Sequence, residues 1–192
     1  MVLIPMEIIE QIRHRLALLN PRKLFNGYIR EAAVLIPIFK TNGQYHILLT
    51  RRTEDVETHK GQISFPGGMR EGKETLLETA MRETFEEVGI EHDRIEPLGQ
   101  FHEYLSITQF RVTPFVSYIR TPFRTQRQIH EVAEILHVPF SVFLDPANPR
   151  VKKNSYPGRE MDVYFYPFST HQIWGLTARI IKDLFDTLNL QE

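Results

Sequence analysis

The stretch from Gly67 to Ile90, GGMREGKETLLETAMRETFEEVGI, constrains the fold more than any other part of the chain, because it carries its own start and stop signals. Thr75, followed three residues later by Glu78, forms a capping box: the hydroxyl accepts a backbone N–H at the helix start and the carboxylate reaches back. Gly89 stands where a left-handed C-terminal cap belongs. Between them Leu77, Ala80, Met81, Thr84, Phe85 and Val88 recur at helical spacing, which predicts an amphipathic helix with that face on a sheet.

The same segment concentrates acid. Glu71, Glu74, Glu78, Glu83, Glu86 and Glu87 all fall within it, although the formal net charge of the chain is only -1. Glu83, Glu86 and Glu87 stand at i, i+3 and i+4, so about 3.6 residues per turn puts three carboxylates on one arc. Such an arc repels itself unless cations occupy it. Hard divalent ions such as Mg²⁺ take oxygen ligands, commonly one or two carboxylates with waters and substrate phosphates. The arc therefore reads as a metal-binding one.

Composition narrows the remaining classes. The 192 residues predict a single domain, 1–192, with an N-terminal helix at about 5–20 that starts after Pro5 and packs through Ile8, Ile9, Ile12, Leu16 and Leu19. The chain has no cysteine, which excludes disulfides, thiolate metal ligands and cysteine nucleophiles. Apolar runs such as AAVLIPIF are far short of the ~20 residues of a membrane span, so a cytoplasmic protein without a membrane partner is expected. Lys and Arg (23) balance Asp and Glu (24) with no basic block, which argues against a nucleic-acid partner and for a small-molecule one. A homodimer is compatible with this composition.

AAVLIPIF and QYHILLTRR read as strands joined by a hairpin turn at Asn42-Gly43. IEPLGQFHEYL, FRVTPFVSYI, EVAEILHV and MDVYFYPF read as further strands, and WGLTARIIKDLFDTL as a closing helix with Trp174 packed beneath it. This order predicts an α/β (α+β) fold, a mixed β-sheet covered by helices.

Gly68, Glu74, Arg82-Glu83, Glu86-Glu87 and Gly89-Ile90 have the spacing of the Nudix box, and the stretch resembles the Nudix hydrolase family. The resemblance implies an α/β/α sandwich and hydrolysis of a diphosphate with Mg²⁺ or Mn²⁺. It implies that Glu83, Glu86 and Glu87 coordinate the metal, that a carbonyl of Gly67 or Gly68 adds a ligand, and that Gly68, Glu74, Arg82 and Gly89 are structural. Spacing pairs Glu78 with Arg82 along the helix. Thr84 replaces the usual bulky aliphatic residue on the packed face.

LLTRRTEDVETHKGQISFPGG, Leu48 to Gly68, resembles the extended motif of the coenzyme A diphosphatase branch at Leu48, Leu49, Thr50, Arg52, Gly61, Phe65, Pro66, Gly67 and Gly68. Thr53 stands where that branch has Ser or Ala, and Glu57 where it has Arg. The resemblance extends over about Arg30 to Phe185 and implies 3′,5′-ADP and 4′-phosphopantetheine as products. Arg51, Arg52 and Lys60 are candidates for a substrate phosphate, with His59 beside the glycine-rich loop. The general base comes from the box helix, with Glu86 or Glu83 serving as ligand and base, or from a later glutamate, Glu131 first and Glu134 second. The alternatives are ADP-ribose, NADH or another nucleoside diphosphate as substrate, or a non-catalytic nucleotide sensor. The prenyl diphosphate isomerases of the same fold need a cysteine that this chain lacks.

Overall fold

Asn42 and Gly43 both take positive φ, 49° and 79°, and the two-residue turn they make joins β1 (Arg30–Thr41) to β2 (Gln44–Arg52) as the sequence predicts. The computed structural model describes residues 7–24, 30–53, 61–156 and 159–190. Ahead of this hairpin lies α1 (Ile8–Leu18), shorter than the expected 5–20, with Ile8, Ile9, Ile12 and Leu16 buried; Pro5 lies outside the described residues.

Along the chain follow β3 (Ile63–Ser64), β4 (Gly67–Met69), α2 (Leu76–Val88), β5 (Ile95–Gln100), β6 (Tyr104–Leu105), β7 (Phe110–Ile119) and β8 (Val132–Pro139). The strands form one sheet in the order β3-β2-β1-β7-β5, with β4 also on β1, β6 on β7 and β8 on β2. β1 and β7 run parallel and the other pairs antiparallel, so the sheet is mixed. The stretch IEPLGQFHEYL, expected as one strand, breaks at 101–103. There Phe101 N–H still donates to Pro114 C=O, in register with Gln100 and Phe115, but Pro114 has no N–H to return, and Glu103 N–H turns off the ladder to Arg22 C=O.

Alternation along β1 and β2 supplies both faces of the sheet. Ala33, Leu35 and Leu48 pack with Ala80 and Val88 of α2 on one side. Ile36, Ile38, Ile47 and Leu49 pack on the other with α1 and with α4 (Gly175–Thr187). Each such aliphatic side chain contributes about 1.5–3 kcal/mol by leaving water. The result is the α/β/α sandwich, extended by α3 (Ser141–Leu144) and a second antiparallel sheet of β9 (Arg150–Tyr156), β10 (Arg159–Phe168) and β11 (His171–Trp174). Among the described residues no helix is long and apolar enough to cross a membrane.

Two packing expectations are corrected. Phe85 is 44% exposed, edge-on to His92, because α2 turns Thr79, Ala80, Thr84, Glu87 and Val88 to the sheet. Trp174 is also 44% exposed: β10–β11 register pairs it with Phe165, on which it stacks, while its neighbour Ile173 takes the inward position. Thr84 is fully buried, and its hydroxyl donates to Ala80 C=O at 2.6 Å.

Candidate active site

β4 brings the glycine pair under α2. Gly67 has φ 153°, and a Cβ there would lie 2.3 Å from the Ala33 carbonyl oxygen. A Cβ at Gly68 would lie 2.4 Å from Cδ of Glu83, so the bare glycine leaves room for that carboxylate. α2 begins as the sequence predicts: Thr75 Oγ1 accepts Glu78 N–H, and the Glu78 carboxylate accepts Thr75 N–H at 2.7 Å. It ends at Gly89 in the left-handed region.

Because Glu78 is committed to the cap, the expected Glu78–Arg82 pairing is replaced. Arg82 spans the acids instead: Nη2 and Nε donate to the two oxygens of Glu74 at 2.9 and 3.1 Å, and Nη1 to Glu83 at 2.9 Å and Glu86 at 3.0 Å. This guanidinium holds the Glu74 carboxyl down at about 2, against an ordinary 4.5. A depressed carboxylate contributes stability that is complete above about pH 4.5 and is lost as the pH falls toward 2. Thermal unfolding of wild type and Glu74→Gln should therefore show a stability gap that is constant near neutrality and closes between those values; a gap independent of pH would contradict the pairing.

Glu87 is only 4% exposed. It accepts the Gly67 N–H, and its Oε2 has no hydrogen-bond partner. Burial, with Glu83 and Glu131 nearby, pushes its carboxyl up to about 8 against the opposing pull of Arg52. Burial raises Glu83 as well, opposed by Arg82. Glu83, Glu86 and Glu131 line a cavity of about 510 Å³ together with Arg82, Glu71 and Gln128.

As placed, no three carboxylates or histidines among the described residues converge on one point as a metal-ligand group. Arg82 stands between Glu83 and Glu86 and supplies the positive charge that the arc requires. The residues nonetheless fit a hard divalent ion. The buried Oε2 of Glu87 lacks a partner, the Glu83 carboxylate lies in the space that a Cβ at Gly68 would fill, and the donors are all oxygens.

Arg52 lies close enough to Glu87 to stabilise its charge, and its buried Nε is unpartnered. Arg51 is drawn off to Glu134 at 3.4 Å. Glu134 also meets His171 Nε2 at 3.1 Å, so it ties β8 to β11 rather than standing free at a strand edge, and neither Arg51 nor Glu134 lines the acidic cavity. His59, Lys60 and Glu57 lie outside the described residues. Glu71 and Gln128 join the cavity without a role expected from the sequence. Glu71 had a signal, three residues before Glu74 in the glycine-rich lead to the helix; Gln128 had none.

The crystal structure of a MutT/nudix family protein from Enterococcus faecalis superposes on this fold with a TM-score of 0.54 at 14% identity, covering 88% of this chain and 65% of that one. The likeness shows a shared fold. The family model described as NUDIX domain matches residues 29–170, and the chain belongs to the Nudix family as a Nudix hydrolase. The uncharacterized Nudix hydrolase NudL of Photorhabdus laumondii is 38% identical over 173 residues, 90% of this chain and 92% of that protein. Nudix hydrolase 22, chloroplastic, of Arabidopsis thaliana is 34% identical over 161 residues, 79% of this chain and 53% of that protein. Hydrolases of this family generally use divalent ions such as Mg²⁺ or Mn²⁺.

Proposed function

We propose that this hydrolase cleaves the diphosphate of coenzyme A or a derivative, releasing 3′,5′-ADP and 4′-phosphopantetheine. The observation that carries the reading is the run from Leu48 to Gly68, whose motif residues begin on β2 and end in the glycine pair beneath Glu83. Arg52, at the end of β2, supports it: its guanidinium acts on the charge of Glu87 beside the acids, and a cation there suits a phosphate.

In this reading Glu83, Glu86 and Glu87, with the Gly67 carbonyl, hold Mg²⁺ or Mn²⁺. The ion, when bound, neutralises phosphate oxygens and makes water more acidic. Glu131, on the cavity wall with Glu83 and Glu86, accepts the proton of the attacking water. As the new P–O bond forms, the bridging P–O bond breaks, leaving two phosphate monoesters. Arg52 holds the diphosphate in line, and Glu74 anchors Arg82 so that its guanidinium can partner Glu83 and Glu86.

Glu57, in place of the branch's Arg, favours a second reading in which ADP-ribose, NADH or another nucleoside diphosphate is the better substrate. Chromatography of products from coenzyme A, ADP-ribose, NADH and a diadenosine polyphosphate, each with Mg²⁺ or Mn²⁺, separates the two. Release of 3′,5′-ADP from coenzyme A at the highest kcat/KM supports the first; faster cleavage of another diphosphate overturns it.

A further inference from the structure

We propose that Thr53 is a positioning residue for Glu131, an inference that rests on the reading of Glu131 as the base. The ladder between β2 and β8 shifts register between Arg51 and Arg52, so Arg52 stands opposite Val132 and Thr53 meets the loop just before β8. There Thr53 makes two bonds to consecutive peptides. Its backbone N–H donates to Glu131 C=O at 2.9 Å, and its hydroxyl donates to His130 C=O at 2.8 Å. The side chain is buried, so the hydroxyl is not a solvated one that happens to point inward.

The other side of the loop is fixed by the box helix itself. Gln126 N–H donates to Val88 C=O at 2.8 Å and Gln128 N–H to Glu87 C=O at 2.9 Å. Gln128 C=O then accepts both Glu131 N–H and Val132 N–H. Glu131 is thus suspended between the strand that carries Arg52 and the helix that carries Glu83, Glu86 and Glu87. The Thr53 hydroxyl is the side-chain tie on the strand side. Without it the backbone bonds still close the loop, but the His130–Glu131 peptide can tilt and the carboxylate with it.

A displacement of about 1 Å at a reacting group costs on the order of a hundredfold in rate, and the remaining ties limit the loss here to about tenfold. Thr53 is one of the two positions at which this chain departs from the extended motif. Serine, usual there, keeps the donor. Alanine, also usual, does not.

The test is a double-mutant cycle on Thr53→Val and Glu131→Gln, run on whichever diphosphate wild type cleaves fastest. Thr53→Val should lower kcat about tenfold with KM changed less than twofold, and Thr53→Ser should restore kcat to within about twofold. In the Glu131→Gln background Thr53→Val should have no further effect. An equal loss in both backgrounds, or wild-type activity in Glu131→Gln, overturns the proposal. If Thr53→Val does not fold, Thr53→Ala removes the same hydroxyl with less bulk and carries the cycle. Failure of coenzyme A as substrate would leave this cycle readable on another diphosphate, so the two proposals fail separately.

Discussion

Glu87→Gln is expected to abolish turnover by a factor of about a thousand or more while making the metal-free protein more stable at high pH than wild type. In the proposed metal site the rate loss follows from removing one charged oxygen donor to an ion that would contribute several kcal/mol of charge stabilisation, at about 1.4 kcal/mol per tenfold. The stability gain follows from linkage. The buried carboxyl of wild type titrates near 8 in the folded chain, against an ordinary 4.5. A group whose folded value is raised contributes stability that is complete below its unfolded value and is lost as the pH climbs to the folded one. Between those limits wild type should lose about 1.4 kcal/mol per pH unit relative to the variant, a total on the order of a few kcal/mol. Glutamine keeps the oxygen that accepts the Gly67 N–H and has no charge to expel. Urea unfolding of both proteins in EDTA at pH 5, 6, 7 and 8 reads the difference, and parallel curves would sink the assignment of a buried, protonated Glu87. The same proton must leave when metal binds, so metal affinity in wild type should rise as pH rises toward 8 and lose that dependence in the variant.

The helix that carries these acids was legible almost to the residue, because Thr75, Glu78 and Gly89 act through bonds between near neighbours in the chain. The Asn42-Gly43 hairpin was legible for the same reason. What spacing alone could not give was which of two plausible arcs of α2 meets the sheet. Leu77, Met81 and Phe85 form the more apolar one, yet the glycine pair of β4 draws Glu83 and Glu87 inward and leaves Phe85 in solvent. The partner expected for Arg82 was wrong because two local rules compete for Glu78, and the capping bond wins, leaving the guanidinium to the acids. β9 and β11 were not read as strands, since RVKKNSY is polar and HQIW is four residues long; both depend on pairing with β10. The suspension of Glu131 is non-local on both sides, so Thr53 could be marked only as a departure from a motif, without its partner.

Single methyl groups at the glycine pair separate a backbone clash from the displacement of one carboxylate. In Gly67→Ala the added carbon meets backbone, the Ala33 carbonyl oxygen at 2.3 Å and Val34 Cα at 2.6 Å, at a φ of 153° that side chains rarely adopt. Backbone in the centre of a sheet cannot step aside, and overpacking together with strain should cost about 3 kcal/mol or more, lowering Tm by roughly 6–12 °C. In Gly68→Ala the carbon meets the carboxylate of Glu83, at 2.4 Å from Cδ and from Oε1. That is the far end of a flexible side chain, so the fold absorbs the methyl by rotating Glu83, and Tm should move by no more than about 3 °C. In the proposed site the rotation takes Glu83 from its place as a metal donor, and a displacement of about 1 Å costs on the order of a hundredfold in rate. Differential scanning calorimetry should therefore show a loss of Tm in Gly67→Ala roughly twice or more that in Gly68→Ala, while kcat per folded molecule falls in both, because the strained Gly67 backbone carries the proposed carbonyl ligand and the N–H that Glu87 accepts. An equal loss of Tm in the two variants would mean that Glu83 is held for packing, and the arc's claim on a metal ion would have to rest on Glu86 and Glu87 alone.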